Sequence, residues 1–462
     1  MSDSFIYELP LFTNPYDEKV LNIRFNMGCY LYNAILKEGL KRLILMKQSK
    51  LWKRAKKLPL KSQERNKEFK ALFEKYNFSD YSLQSFAIKT KNRCEIKDHL
   101  DTHVCQKIAT RVYLALKEYS KNKRGKPRFK RKGWMSSLEG KEKKAGIIFK
   151  EDHIYWKKLK LSIIFNYKDP YLAYALNFPI KYLRIVRKNI KGKYRYFIQF
   201  VLKGKPMPKK IAKGKVGLDI GPSTIASFSP SKAILTSFCE ELKPLSISKK
   251  NILRKMDRSR RITNKDNYDE KKRVKSNVHV WVMSNRYKKQ RFKLAEAHRK
   301  LKEYRKRLHG RLSNELLKLG NIFKTEKISY KRWQKIFGKS INFRAPSMFI
   351  KQLKRKAENA GGRMEEFSTQ KTCLSQVCHN CSTKHKKPLW QRWHECSCKI
   401  PRVQRDLYSA YLSYHVEDNH LNIREAKRAF PGAHLLLEQA ILRIDQTAIG
   451  RSRLASFGLS QS

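Results

Sequence analysis

The stretch Lys215-Val-Gly-Leu-Asp-Ile-Gly-Pro-Ser223 decides how this chain is read. Val216 to Ile220 has the apolar, β-branched character of a short strand, with a single acid, Asp219, near its end. Gly221, Pro222 and Ser223 turn the chain, and Thr224-Ile-Ala-Ser-Phe228 runs back as a second strand. Ala233 to Phe238 reads as a third. A lone Asp in such a strand is often only a turn cap, but two more acids sit in similar settings. Glu326 closes the strand-like Asn321-Ile-Phe-Lys-Thr-Glu326, and Asp406 opens a helix in Gln404-Arg-Asp-Leu-Tyr-Ser-Ala410. Carboxylates at the ends of apolar segments stand out in a chain with 105 Lys+Arg against 39 Asp+Glu. Three that converge can hold two Mg²⁺ ions roughly 4 Å apart. Gly217 and Gly221 are expected to let the backbone run close to a phosphodiester.

The formal net charge of +66 self-repels unless a polyanion compensates it, so nucleic acid is the expected main partner. The 462 residues exceed one ordinary core and predict two to four domains. No segment has the roughly 18 consecutive apolar residues of a membrane helix. The opening Met1-Ser-Asp-Ser-Phe-Ile-Tyr-Glu8 does not read as a signal peptide. A membrane is therefore not an expected partner.

Residues 1–144 read as an opening strand followed by helices. Asn14-Pro15-Tyr16-Asp17 starts one helix that runs to about Lys47, and Asp101-Thr102 caps another carrying Val104, Ile108, Val112 and Leu116 at helical spacing. The segment after it, Lys121 to Trp134, packs Lys126, Arg128, Lys130 and Arg131 around Phe129. It is read as a nucleic-acid-binding segment that grips phosphates and offers rings for stacking. Residues 145–210 turn to β-rich runs, with a hairpin signal at Lys191-Gly192-Lys193, and predict a small antiparallel barrel or sheet. Farther on, Leu294, Leu301 and Leu308 repeat at seven within a basic helix or helical hairpin from Ser284 to Leu319. Ala345–Ala360 is another helix, stopped by Gly361-Gly362.

Nine cysteines are present, four scattered and five clustered, which argues against a disulfide framework. Cys378-His-Asn-Cys381 and Cys396-Ser-Cys398 form two close pairs with fourteen residues between them. Two thiolate pairs on facing knuckles supply the tetrahedral set of a structural Zn²⁺ site. An unmetallated knuckle or a redox pair are the alternatives. His379, His385 and His394 are left out of the ligand set.

Taken in order, these segments resemble the TnpB family of insertion-sequence-encoded RNA-guided nucleases and their relatives, the miniature type V CRISPR effectors. The resemblance rests on Gly28-Cys-Tyr-Leu-Tyr-Asn33, Arg124-Gly-Lys-Pro-Arg-Phe-Lys130, Gly217-Leu-Asp-Ile-Gly221, His298 through His309-Gly-Arg-Leu-Ser313 to Glu326, Leu374 to Cys381, and Arg405-Asp406. It implies an α/β multidomain fold: a helical recognition domain inserted in or beside a β-barrel wedge domain, then a RuvC/RNase H-like nuclease domain with an inserted zinc ribbon. On this chain the parts fall at 1–144 (opening strand and recognition domain), 145–210 (wedge), 211–370 with 400–440 (nuclease), 371–399 (ribbon) and 441–462 (tail). The resemblance makes Asp219, Glu326 and Asp406 the catalytic, Mg²⁺-holding acids, and Cys378, Cys381, Cys396 and Cys398 the zinc ligands. It implies a guide RNA and target double-stranded DNA cut next to a short target-adjacent motif. The expected location is the cytoplasm of a prokaryote at the nucleoid, with a homodimer as the assembly to test. At the third acid the family pattern is Asp-Arg-Asp-x-Asn-Ala-Ala. Here Gln404, Tyr408 and Ser409 replace its first Asp, its Asn and its first Ala. That altered flank keeps two alternatives in view: a guided DNA-binding repressor without cleavage, and a transposase working without a guide.

Overall fold

The computed structural model describes residues 4–60, 62–143, 145–207, 211–388, 390–398 and 400–447, with the backbone alone at 445–447. The chain is mixed α/β and divides into two compact units, Met1–Met207 and Pro208–Ser462.

The first unit runs β1 (Ser4–Pro10), α1 (Pro15–Gln48), α2 (Lys50–Lys57), α3 (Gln63–Lys75), α4 (Asp80–Asn92), α5 (Ile96–His99) and α6 (Thr102–Ser120). It continues with β2 (Ser137–Glu139), β3 (Ile147–Lys150), β4 (His153–Trp156), β5 (Leu159–Ser162), α7 (Pro170–Leu176), β6 (Ile180–Ile190) and β7 (Lys193–Lys203). Asn14 caps α1 with a full capping box, its side chain accepting from the Asp17 amide at 2.8 Å while Asp17 accepts from the Asn14 amide at 3.1 Å. Asp101 caps α6 as its sequence predicts, and also accepts from the Trp156 indole at 2.8 Å. The β6–β7 hairpin turns at Lys191 and Gly192, both at positive φ, the conformation a two-residue turn between twisted strands requires.

The strands form an antiparallel sheet ordered β1-β7-β6-β2 and a second ordered β3-β4-β5, with an isolated bridge between Leu11 and Ile163. The expected barrel is corrected here: among the described residues the ladders do not close into a ring. β1 and β2 lie before residue 145, yet both pair within the main sheet, so the helices α1 to α6 are an insertion between its strands. One continuous core joins the helices and both sheets, from Leu21, Phe25 and Ile35 to Trp156, Ile198 and Phe200.

The second unit begins with β8 (Lys215–Ile220), β9 (Thr224–Ser229), β10 (Lys232–Ser237), α8 (Lys243–Thr263) and α9 (Asn285–Leu317). β11 (Ile322–Glu326), α10 (Tyr330–Arg344), α11 (Pro346–Asn359), β12 (Arg363–Phe367) and α12 (Thr369–Thr372) follow. Last come β13 (Trp393–His394), β14 (Val403–Gln404), α13 (Arg405–Tyr414), β15 (Val416–Glu417), β16 (His420–Leu421) and α14 (Ile423–Thr447). The five-stranded sheet is ordered β10-β9-β8-β11-β12, with β8–β9–β10 antiparallel and β8–β11–β12 parallel.

Its two faces bury different partners. Val216, Leu218 and Ile220 point to one side and pack with Leu301, Leu308, Phe349 and Leu353 of α9 and α11. Ala226 and Phe228 point to the other and pack with Leu407, Ala410 and Tyr411 of α13 and with Leu437 of α14. Alternation of side chains along a strand forces this split. α8 and α9 pack as the two arms of a helical hairpin, where the sequence pattern marks only the second. The expected tail starts at 441, inside α14, and its residues 448–462 lie outside the described residues.

Candidate functional site

Asp219 and Glu326 belong to neighbouring parallel strands. The β8–β11 register pairs Lys324 with Gly217 and Thr325 with Leu218, so one step further brings Glu326 beside Asp219. Both acids fall on the sheet face that carries α13. Gly217 shows why that helix lies so close: a Cβ there would sit 2.1 Å from the Ala410 carbonyl oxygen and 2.5 Å from the Tyr414 amide nitrogen. Gly217 therefore serves helix-on-strand packing, which corrects the expectation that it faces a phosphodiester. Gly221 makes the β8–β9 turn, where a Cβ would press on Thr224 Oγ1 at 2.9 Å.

Asp406 stands in the first turn of α13 and is 8% exposed. Its Oδ2 accepts from Thr224 Oγ1 at 2.9 Å, which ties the helix start to the first residue of β9. Arg405 Nε lies 3.6 Å from its Oδ1. Gln404 occupies the N-cap and accepts from the Leu407 amide at 2.8 Å, capping α13 one residue before Arg405. Thr224 carries no sequence signal of its own; a threonine opening the strand opposite an acid has no local pattern to mark it.

Asp219 feels both of the other acids. Burial, then the neighbouring Asp406 and Glu326 carboxylates, hold the Asp219 carboxyl well above its ordinary value, with Arg405 pulling the other way. Burial lifts Glu326 to about 7. A recess of hard carboxylate oxygens, with two of the three carboxyls held above their ordinary protonation range, is the donor set a divalent cation such as Mg²⁺ suits. The carboxylates do not converge as tightly as the thiols do: among the described residues, the cysteine quartet is the one group with such spacing.

In that quartet the ligating atoms of Cys378, Cys381, Cys396 and Cys398 all lie within 4.8 Å of one another. Cys378 Sγ is 3.6 Å from Cys398 Sγ, and Cys381 Sγ is 3.4 Å from Cys396 Sγ. A tetrahedron with Zn–S near 2.3 Å has edges of about 3.8 Å, so four thiolates at these spacings fit a structural Zn²⁺. Cys378 and Cys381 lie on a knuckle closed by the Val377–Lys384 bridge, and Cys396 and Cys398 follow β13 in the β13–β14 hairpin. The Cys-x-Cys spacing thus still reaches the cluster. His379 and His394 are buried beside it but turn to Tyr408.

The basic segment of the first unit is pinned at its base and open at its tip. Asn33 clamps Lys130 from both sides, accepting from its amide and donating to its carbonyl at 2.8 Å each. The Lys130 ammonium sits 4.9 Å from the Tyr32 ring centre. Arg187, buried, donates to the Gly133 and Met135 carbonyls at 3.1 and 3.0 Å. Lys126, Arg128 and Arg131 are exposed, as are the Phe129 and Trp134 rings at 55% and 67%. The structure thus places the acids and thiols in the second unit and the basic segment in the first.

A scan against protein-family models and a search of curated proteins both find no match. Among solved structures, the chain is similar to a Cas12f1–sgRNA–target DNA complex at 13% identity and TM-score 0.44, covering 88% of this chain and 98% of that one. It is also similar to a CRISPR-Cas12f ternary complex at 13% identity and TM-score 0.31, covering 86% of this chain and 81% of that one. Values this low transfer no residue role. No helix among the described residues is long and apolar enough to cross a membrane.

Proposed function

We propose that this chain is an RNA-guided, metal-dependent DNA endonuclease of the TnpB type. The observation that carries the reading is the meeting of Asp219, Glu326 and Asp406: two adjacent parallel strand ends and the first turn of the helix laid across them. Guide pairing would read the sequence, while the basic surface holds the duplex by its backbone. Asp219, Glu326 and Asp406 would hold the metal. Bound Mg²⁺ would supply an activated water and offset charge on the leaving oxygen. Thr224 holds Asp406 by its second oxygen and so sets which lone pairs face the recess. Arg405 adds positive charge beside acids that otherwise repel. Cys378, Cys381, Cys396 and Cys398 would hold a Zn²⁺ with no open position for chemistry, so its part is structural.

The test is purification with co-purifying RNA, followed by incubation with plasmids bearing guide-matched targets in varied flanking contexts. Cutting that requires Mg²⁺, and disappears in Asp219→Ala while target binding persists, is the expected result. Binding without cutting under any divalent metal would identify a guided repressor instead. Random cellular RNA in place of a defined species would point to a guide-independent transposase.

A further inference from the structure

We infer that Tyr408 is a positioning residue that couples the four-cysteine site to Asp406, so that zinc occupancy sets where the third acid stands. The first step of this inference needs only the cysteine geometry; its consequence for cutting rests on the nuclease reading above.

Tyr408 is 1% exposed and touches both knuckles. Its hydroxyl accepts from the backbone N–H of His379 at 2.9 Å, the residue directly after Cys378. It lies 2.8 Å from His379 Nδ1, to which it can donate its own proton. One hydroxyl thus makes one accepted and one donated bond, both to the same knuckle residue. Its ring stacks on His394 with centres 4.1 Å apart and planes 26° apart, two residues before Cys396. His379 and His394 are each 2% exposed, so neither has water as a ready replacement partner.

Tyr408 follows Asp406 by two positions on the same helix, which turns about 200° between them. One side chain therefore faces the knuckles while the other faces the acid recess. Rotation or sliding of α13 moves both together. On the recess side, Asp406 is held by the hydroxyl of Thr224 and the flank of Arg405. On the other side, Tyr408 grips a segment whose own shape depends on four thiolates being drawn to one centre. Loss of the metal would free both knuckles and leave α13 fixed from the recess side, by Arg405 on the Gln391 and Arg392 carbonyls, and by core packing, without the grip at Tyr408.

The test is hydrogen exchange of the α13 amides, residues 405–414, in the full chain. It is run on the natural protein and Tyr408→Phe, each zinc-loaded and zinc-stripped by a chelator. Removing zinc from the natural protein should speed exchange across α13 by about tenfold, the scale of one or two lost buried bonds. Zinc-loaded Tyr408→Phe should already exchange at that raised rate and respond little to stripping. Zinc release to the chelator should be severalfold faster in the variant, since the hydroxyl holds His379, the residue next to Cys378. Equal responses of the two proteins to stripping would overturn the inference. Should Tyr408→Phe not fold, His379→Ala removes the side-chain bond from the knuckle side and answers the same question.

A further readout separates positioning from simple stability. In Tyr408→Phe the Mg²⁺ concentration for half-maximal cutting should rise severalfold while target affinity stays unchanged; an unchanged Mg²⁺ midpoint would count against coupling to Asp406. If neither protein cuts at all, the nuclease reading fails, yet the exchange result still decides whether Tyr408 couples the two sites.

Discussion

At the scale of single residues, His309 is as informative as the acids. It is fully buried between Phe238, stacked at 5.4 Å, and Phe349, edge-on at 5.5 Å, and its Nε2 donates to the Arg344 carbonyl at 2.9 Å. Burial pushes its pKa down to about 4, so it is neutral when folded. The unfolded chain protonates this imidazole below its ordinary value of 6.5, and the folded chain only near 4. Between those values the unfolded state binds the extra proton, so stability is lost as pH falls through that window. One such proton is worth about 1.4 kcal/mol per pH unit. Denaturant unfolding of His309→Phe at pH 6.5, 5.5 and 4.5 should give a slope shallower by about that amount; an unchanged slope would mean His309 already titrates near its ordinary value. The residue was visible in the sequence as part of the run toward Glu326, but its burial was not. A histidine on a helix otherwise crowded with Lys and Arg looks solvated until the opposing phenylalanines, from β10's end and α11, are in place.

Among the elements, α13 decides the most. Its fit depends on a glycine, since Ala410 and Tyr414 approach Gly217 through backbone atoms that have no rotamer to yield. Gly217→Ala should cost the second unit about 1–3 kcal/mol or more by overpacking. It should also displace Asp406 and abolish cutting, while Gly125→Ala, where a Cβ meets open space, should leave thermal unfolding unchanged. Calorimetry of the two variants checks this. The strands β8 and β11 and both cysteine pairs were legible because each is a local pattern: apolar runs closed by an acid, thiols at knuckle spacing. What joins them was not. Thr224 meeting Asp406, Gly217 meeting Ala410 and Tyr408 meeting His379 are contacts between segments far apart in sequence, and no periodicity within a segment reports them. The strands of the first unit were legible for the same local reason, whereas the way their ladders stay open among the described residues depends on pairing partners, which periodicity does not name.

For the molecule as a whole, charge is the governing quantity. A net +66 should give nucleic-acid binding a steep salt dependence through released counterions. The exposed Lys126 and Arg128 should each contribute about one unit of that slope, and the double change Lys126→Ala, Arg128→Ala should flatten it accordingly. Phe129→Ala should act differently, weakening binding by about 1–3 kcal/mol at every salt concentration through lost stacking. Filter binding across a salt series tells the two apart; parallel slopes for all variants would remove this segment from the interface. The threading of the second unit has a consequence for biosynthesis. Thr224 and Asp406 are 182 residues apart, so at roughly 5–20 residues per second the ribosome supplies the strand about 10–40 s before the helix that completes the recess. During that interval the newborn chain carries Asp219 from the start, gains Glu326 partway through, and lacks Asp406 until the end. The order of synthesis therefore builds the sheet first and closes the acid recess last, so the recess forms only after the end of the second unit has left the ribosome.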